Sequence, residues 1–193
     1  MTSPRAALIA DTAIALIAER GMRGLTHRAV DEAAGLPAGS TSNHARTRAA
    51  LLQAALDRLA EIETADYPTG PEAAPDPRPP REVLTETVVT GLHAALTRGR
   101  TLTLARFELA LEANRRPELR ARYDTLAQRF RRTAAALLTA AGSADPDHHA
   151  ALLMAWCDGV LFHTTAGSAQ SRAPSPGHLR EHVDRLLTAL LGT

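Results

Sequence analysis

The 193-residue sequence contains one cysteine, Cys157, which excludes an intrachain disulfide and any Cys-x-x-Cys metal or redox site. Lysine is missing altogether, so all 22 basic side chains are arginine, set against 21 acidic ones. That balance excludes a polycation and an acidic tail. A lysine-free, alanine-rich composition is what a GC-rich coding genome produces, and it carries no mechanism. Aromatic residues make up 3% of the chain, so leucine, alanine and valine must build the core. No apolar run is long enough to cross a membrane. The opening stretch MTSPRAALIADTAIALIAER is broken by Asp11 and Glu19, which removes the apolar centre a secretory signal needs. A reducing cytoplasm is the expected location, with no membrane partner.

What is present is helical periodicity. Apolar residues recur at three and four spacing with almost no alternating β-branched runs, which predicts an all-α protein of about nine helices. The first covers about 4–20, with Ile9, Ala13, Leu16 and Ile17 on one face and Gly21 placed to end it in the αL conformation. Thr26 N-caps a second at about 27–34, and a short third runs from Pro37 or Ala38 to about His44. Thr47 caps a fourth that carries Leu51, Leu52, Ala55, Leu56, Leu59 and Ile62. Residues 68–81, PTGPEAAPDPRPPR, hold six prolines and no periodicity, as an extended connection would. Further helices are expected at about 82–98, 101–114, 117–141, 146–166 and 177–191. The organisation is therefore an N-terminal domain at 1–66, a Pro-rich linker at 67–81 and a C-terminal helical domain at 82–193.

The stretch LTHRAVDEAAGLPAGSTSNHARTRAALL, residues 25–52, places two short helices around a Gly-containing turn and then crowds small polar residues. Such a pair forms a helix-turn-helix, whose second helix enters the major groove of duplex DNA. Ser40, Thr41, Ser42, Asn43 and His44 are poor helix-interior residues, because their side chains compete for backbone hydrogen bonds, but they suit a helix that reads base edges and phosphates. Gly39 leaves room for the sugar-phosphate. Arg48 combines its charge with the free N–H groups of the next helix as a phosphate clamp. A polar loop in an unrelated bundle is the alternative reading of this stretch alone.

The order of parts goes further. The run ALIADTAIALIAERGMRGLTHRAVDEAAGLPAGSTSNHARTRAALLQAAL resembles the DNA-binding domain of the tetracycline-repressor (TetR) family: a leading helix with an ERG turn, a Thr-capped helix, an AG turn, a short recognition helix and an Arg-led fourth helix with paired leucines. The resemblance covers about the first third of the chain. It implies DNA contacts at Thr26, Arg28, Gly39, Ser40, Thr41, Asn43, His44 and Arg48, with Ala34 and Gly35 making the turn. Ser42 stands where the family usually has Tyr, and Ala45 where it has Phe. The first departure removes a common phosphate and thymine-methyl contact, and the second takes bulk from the seam with the fourth helix. Ser42 stays in the candidate DNA-reading set by its place in the run.

The same resemblance implies that the C-terminal helices bind a small effector and pair with a second copy in a four-helix bundle. Leu179, Val183, Leu186, Leu187, Leu190 and Leu191 form an apolar stripe at the chain end, and Ala155 and Gly159 permit close helix approach. Ordinary packing within one chain is the alternative. Residues 101–114, TLTLARFELALEAN, are apolar on two sides, as in a central helix, and Arg106 falls between Leu102 and Leu109. Arg106 either anchors an effector, forms an internal ion pair or reaches solvent. His93 and His163 either line a pocket or are hydrogen-bonded core residues. With Phe107 and Trp156 they complete the candidate effector set.

Other features point away from chemistry. In DPDHHAAL the adjacent histidines face different directions and the aspartates act as caps, so neither a metal site nor a cofactor is expected. The seven arginines of 115–132 flank the apolar stripe of their helix, as a solvated face would. Cys157 reads as packing. The sequence lacks a catalytic triad, a phosphate-binding glycine loop and a paired-carboxylate face, so no catalytic residue is expected. The function read from the chain is a dimeric repressor of a pseudo-palindromic operator, released by a small molecule. An orphan regulator and a helical enzyme are the alternatives.

Overall fold

Helix starts in this chain are set by small polar side chains and by proline. The computed structural model describes residues 3–66, 77–168 and 173–192. The helices are α1 (Pro4–Gly24), α2 (His27–Ala33), α3 (Ser40–His44), α4 (Arg48–Asp66), α5 (Pro80–Leu96), α6 (Arg100–Ala113), α7 (Pro117–Ala140), α8 (Pro146–Thr165) and α9 (Pro176–Leu191). No strand occurs among the described residues. The Oγ atoms of Ser3, Thr26 and Thr47 accept from the amides of Ala6, Ala29 and Ala50, and Asp145 and Ser175 do the same for His148 and His178. Each such cap is worth about 1 kcal/mol. α1, α5, α7, α8 and α9 open on proline, whose missing N–H costs nothing in the first turn.

Two local expectations change. Gly21 has φ 65° but ψ −175°, which is not αL but an extended corner of backbone space open essentially to glycine alone; helix resumes from there to Gly24. α3 starts at Ser40 rather than near Pro37, because Gly39 sits at φ 90° and cannot belong to a helix. The expected Pro-rich connection, 67–81, lies outside the described residues except for 77–81, where Pro80 and Arg81 already open α5.

The chain forms two compact units that do not follow sequence order. One combines residues 1–66 with 101–126, and the other combines 67–100 with 127–193. Hence α6 and the start of α7 pack with the helix-turn-helix part, which differs from a division at the Pro-rich segment. In the first unit, Ile9, Ala13 and Ile17 of α1 and Leu51, Leu52, Ala55 and Leu59 of α4 are fully buried. Each large aliphatic side chain buried in this way contributes about 1.5–3 kcal/mol. Asp11 receives the Arg58 guanidinium at 2.7 Å, tying α1 to α4 at the edge of that core.

In the second unit, Leu84, Val89 and Leu92 of α5 join Leu138, Ala150, Leu153 and the α9 residues Leu179, Val183 and Leu187 in one cluster. This corrects an expectation. Leu179, Val183 and Leu187 are fully buried inside their own chain, so they are not available to a partner copy. The large apolar side chains left exposed among the described residues of this unit are Leu152 and Phe162, at 43% and 48%, and both lie on α8.

Candidate nucleic-acid interface

α2 buries Val30 and Asp31, and the chain then turns through Ala34 in the αR region and Gly35 at φ 65°. The Leu36 amide donates to the Asp31 carbonyl at 2.9 Å, and Leu36 is half-buried at the corner. Ser40 bonds back to the Pro37 carbonyl through its amide and its hydroxyl. α3 has five residues, Ser40–His44, of which Thr41 alone is buried. Ser42, Asn43 and His44 are exposed together, with Thr26, Arg28, Gly39, Arg46 and Thr47 also exposed in the same segment. Arg28 carries an exposed i, i+4 ion pair to Glu32 at 2.7 Å, weak enough to open toward a phosphate. This supplies polar and cationic groups of the type that contact base edges and phosphates.

Two expected contacts are placed otherwise. Thr41 is fully buried and its hydroxyl donates to Asp31 Oδ1 at 2.6 Å, so it faces the protein rather than a groove. The Arg48 guanidinium donates to the carbonyls of Met22 and Leu25. It closes the turn between α1 and α2 instead of standing free as a phosphate clamp. Ala45, where bulk was expected to be lost, is itself buried and ends α3.

Asp31, outside the expected contact set, joins α2 to the start of α3. Its carboxylate accepts from Gly39 N and Thr41 N, each at 2.8 Å, and from the Thr41 hydroxyl. The hydrogen bond from the Thr41 hydroxyl, with the two amides and nearby His27, holds this carboxyl below its ordinary value although burial pushes the other way. The signal was available: an acid in the α2 run beside Val30, where the helix turns its inner face.

Comparison with known proteins decides the family. Residues 79–193 match a model described as a tetracyclin repressor-like C-terminal domain, and residues 9–55 match bacterial regulatory proteins of the tetR family. The chain belongs to the tetracycline-repressor family. A TetR-family member from Streptomyces coelicolor A3 is 30% identical, covers 95% of this chain and 98% of its own, and superposes with a TM-score of 0.69. The multidrug binding protein EbrR in complex with imidazole is 30% identical over 95% of both chains, with a TM-score of 0.64, and has also been solved with proflavin and with ethidium. A transcriptional regulator from Rhodococcus sp. Rha1 is 21% identical over 97% of this chain and 96% of its own and shares the fold at a TM-score of 0.80. No curated protein matches the sequence.

In this TetR-family regulator the candidate effector residues fall in both compact units. Arg106 and Phe107 lie in the first, and Arg106 forms an ion pair with Glu63 in which the two side chains are only 16% and 15% exposed. Of the readings open to Arg106, the internal ion pair is the one observed. His93, Trp156 and His163 lie in the second unit. His93 is half-buried, Trp156 packs against the α5–α8–α9 cluster, and His163 is exposed with its ring edge-on to Phe162. A cleft of about 320 Å³ in the first unit, lined by Ala49, Leu52, Gln53 and residues 115–119, includes none of the five. Asp145 caps α8, and His149 hydrogen-bonds Ser143. Among the described residues no helix is long and apolar enough to cross a membrane.

Proposed function

We propose that the protein is a transcriptional repressor that binds a two-fold-related DNA site as a homodimer and releases it when a small organic effector occupies the C-terminal helices. The observation that carries the reading is the joint exposure of Ser42, Asn43 and His44 on a helix whose one buried side chain, Thr41, turns inward. Ser42, Asn43 and His44 read bases; Thr26, Arg28, Gly39, Ser40, Arg46 and Thr47 position the backbone. In a two-fold dimer the α3 helices enter major grooves about 34 Å apart or a further turn away.

A second copy docks on the outer face of α8. Leu152, Ala155, Gly159 and Phe162 recur at three and four spacing there, and a Cβ added at Gly159 would meet nothing within 4 Å. Leu186 and Leu190 of α9 are both half-buried. Binding of a small organic effector is supported by EbrR, which has been solved with imidazole, proflavin and ethidium. Arg106 is already neutralised by Glu63, so it gives no ground for expecting an anionic effector. No catalytic role is assigned.

Selection from a random-sequence duplex pool tests the reading. A two-fold-related consensus is expected, and titration of that complex with imidazole, proflavin and ethidium then asks which releases it. No sequence enrichment would remove the repressor reading.

A further inference from the structure

We infer that His27 and Asp31, one turn apart on α2, form a polar clamp that grips both ends of the recognition helix α3 and sets its orientation for reading bases. The inference rests on the DNA-binding reading above and adds to it a pair of positioning residues that do not themselves touch DNA.

The need for a clamp follows from the sequence of α3. Isolated helices shorter than about 12 residues are marginal in water, and Ser40–His44 is five residues of poor helix formers. Apolar docking supplies little of what propensity lacks, since Thr41 is the one side chain buried within α3 and Ala45, buried at its end, brings a single methyl group. Its shape must be imposed by hydrogen bonds from outside.

Asp31 supplies them at the N-terminal end. Gly39 N–H and Thr41 N–H are amides that a helix leaves without an internal acceptor, and both donate to Asp31 at 2.8 Å. The Thr41 hydroxyl adds a third bond at 2.6 Å. His27 supplies the other end. Its Nε2 lies 2.6 Å from the carbonyl oxygen of Ala45, the residue that ends α3. A carbonyl oxygen can only accept, so the proton sits on Nε2. A carboxylate at the amide end and a donor at the carbonyl end both match the polarity of the helix. Residues four apart on α2 share one face, so one side of a seven-residue helix holds both ends of the next.

The clamp holds backbone at three of its four bonds, so a tilt of α3 breaks it. A few degrees of tilt displace Asn43 and His44 relative to base edges, where bidentate contacts demand close geometry. Sequence discrimination should therefore depend on the clamp more steeply than binding to backbone phosphates does.

The test uses the full-length protein, a duplex enriched by the wild type from a random pool, and a scrambled duplex of equal length. Thr41→Val keeps the shape and removes the hydroxyl, Thr41→Ser restores a hydroxyl, and Asp31→Asn removes an acceptor. Thr41→Val and Asp31→Asn should lose about tenfold affinity for the enriched duplex, while affinity for the scrambled one stays within about twofold and Thr41→Ser recovers. In the free protein, amide exchange at Gly39 and Thr41 should quicken about tenfold in Asp31→Asn. His27→Gln, which keeps an N–H donor, should discriminate better than His27→Ala.

Unchanged affinity of Thr41→Val and Asp31→Asn for a duplex that the wild type enriches would overturn the clamp alone. A parallel loss on both duplexes would also overturn it, since that is what general destabilisation gives. If the wild type enriches nothing, the DNA-binding reading falls and the inference falls with it. Should Asp31→Asn fail to fold, the Thr41→Val and Thr41→Ser pair decides.

Discussion

Glu63 of α4 and Arg106 of α6 face each other as a two-pronged ion pair, with Arg106 Nε 2.9 Å from Oε1 and Nη2 2.6 Å from Oε2. Removing one partner leaves the other charge largely out of water, whereas removing both need not. Arg106→Met should therefore lower unfolding free energy by about 2–4 kcal/mol, and Arg106→Met with Glu63→Leu should recover most of it. Urea denaturation of the two variants checks this. Recovery failing in the double variant would show that the pair's hydrogen bonds, rather than its unpaired charge, set the loss.

Arg48 is held by the carbonyls of Met22 and Leu25, so its replacement should act on stability and not on phosphate contacts. Arg48→Ala is expected to cost about 1.5–3 kcal/mol and leave the salt dependence of DNA binding unchanged. The exposed Arg46 is expected to behave oppositely: Arg46→Ala should flatten the slope of log K against log salt by about one unit. Binding isotherms at several salt concentrations separate the two.

Phe162→Glu on α8 should disrupt pairing of two copies without unfolding either, because Phe162 is exposed in the single chain. Sedimentation should report a monomer with wild-type helicity. Leu187 of α9, by contrast, is fully buried, and Leu187→Ala should cost about 2–5 kcal/mol in stability.

Acid should loosen the helix-turn-helix. The Asp31 carboxyl lies below its ordinary 3.8 chiefly through the Thr41 hydroxyl, and Glu112 lies below 4.5 chiefly through Arg116. A lowered value in the folded state means stability that is present above the ordinary value and lost as pH falls through the folded one. Stability should drop below about pH 4, and Asp31→Asn should flatten that limb. Thermal unfolding across about pH 2–6 reads both slopes.

The Cys157 thiol is pushed up to about 12, first by burial and then by Asp158. It stays protonated at about pH 8, so iodoacetamide should alkylate the native protein far more slowly than the unfolded chain. A raised value in the folded state means that stability should also erode as pH rises above the ordinary 9.0 toward the folded value. Fast native alkylation would show a reachable thiolate.

The helices were legible because apolar spacing and caps are local: Thr26, Thr47 and Asp145 each cap where the sequence places them. Pairing was not. Nothing local says that Leu179, Val183 and Leu187 meet α5 of their own chain, since an apolar stripe looks the same whichever helix covers it. The carbonyl partners of Arg48 are hidden from the sequence for a related reason: an arginine after a polar run suits a phosphate and a carbonyl equally. Thr41 is indistinguishable from its exposed neighbours in the sequence because in a five-residue helix the inner face is a single position, too short for periodicity to register. The partner of Arg106 is likewise non-local, since Glu63 lies 43 residues away in the sequence.

Because α2 grips α3 by its amides and a carbonyl, the letters displayed at positions 42, 43 and 44 are free to vary without disturbing how the helix is held. A library randomised at Ser42, Asn43 and His44, with His27, Asp31, Gly39 and Thr41 kept, should retain a high proportion of folded members. If Ser42, Asn43 and His44 read bases as proposed, members of that library selected on new duplexes should change sequence preference while the neighbouring frame behaves as a socket.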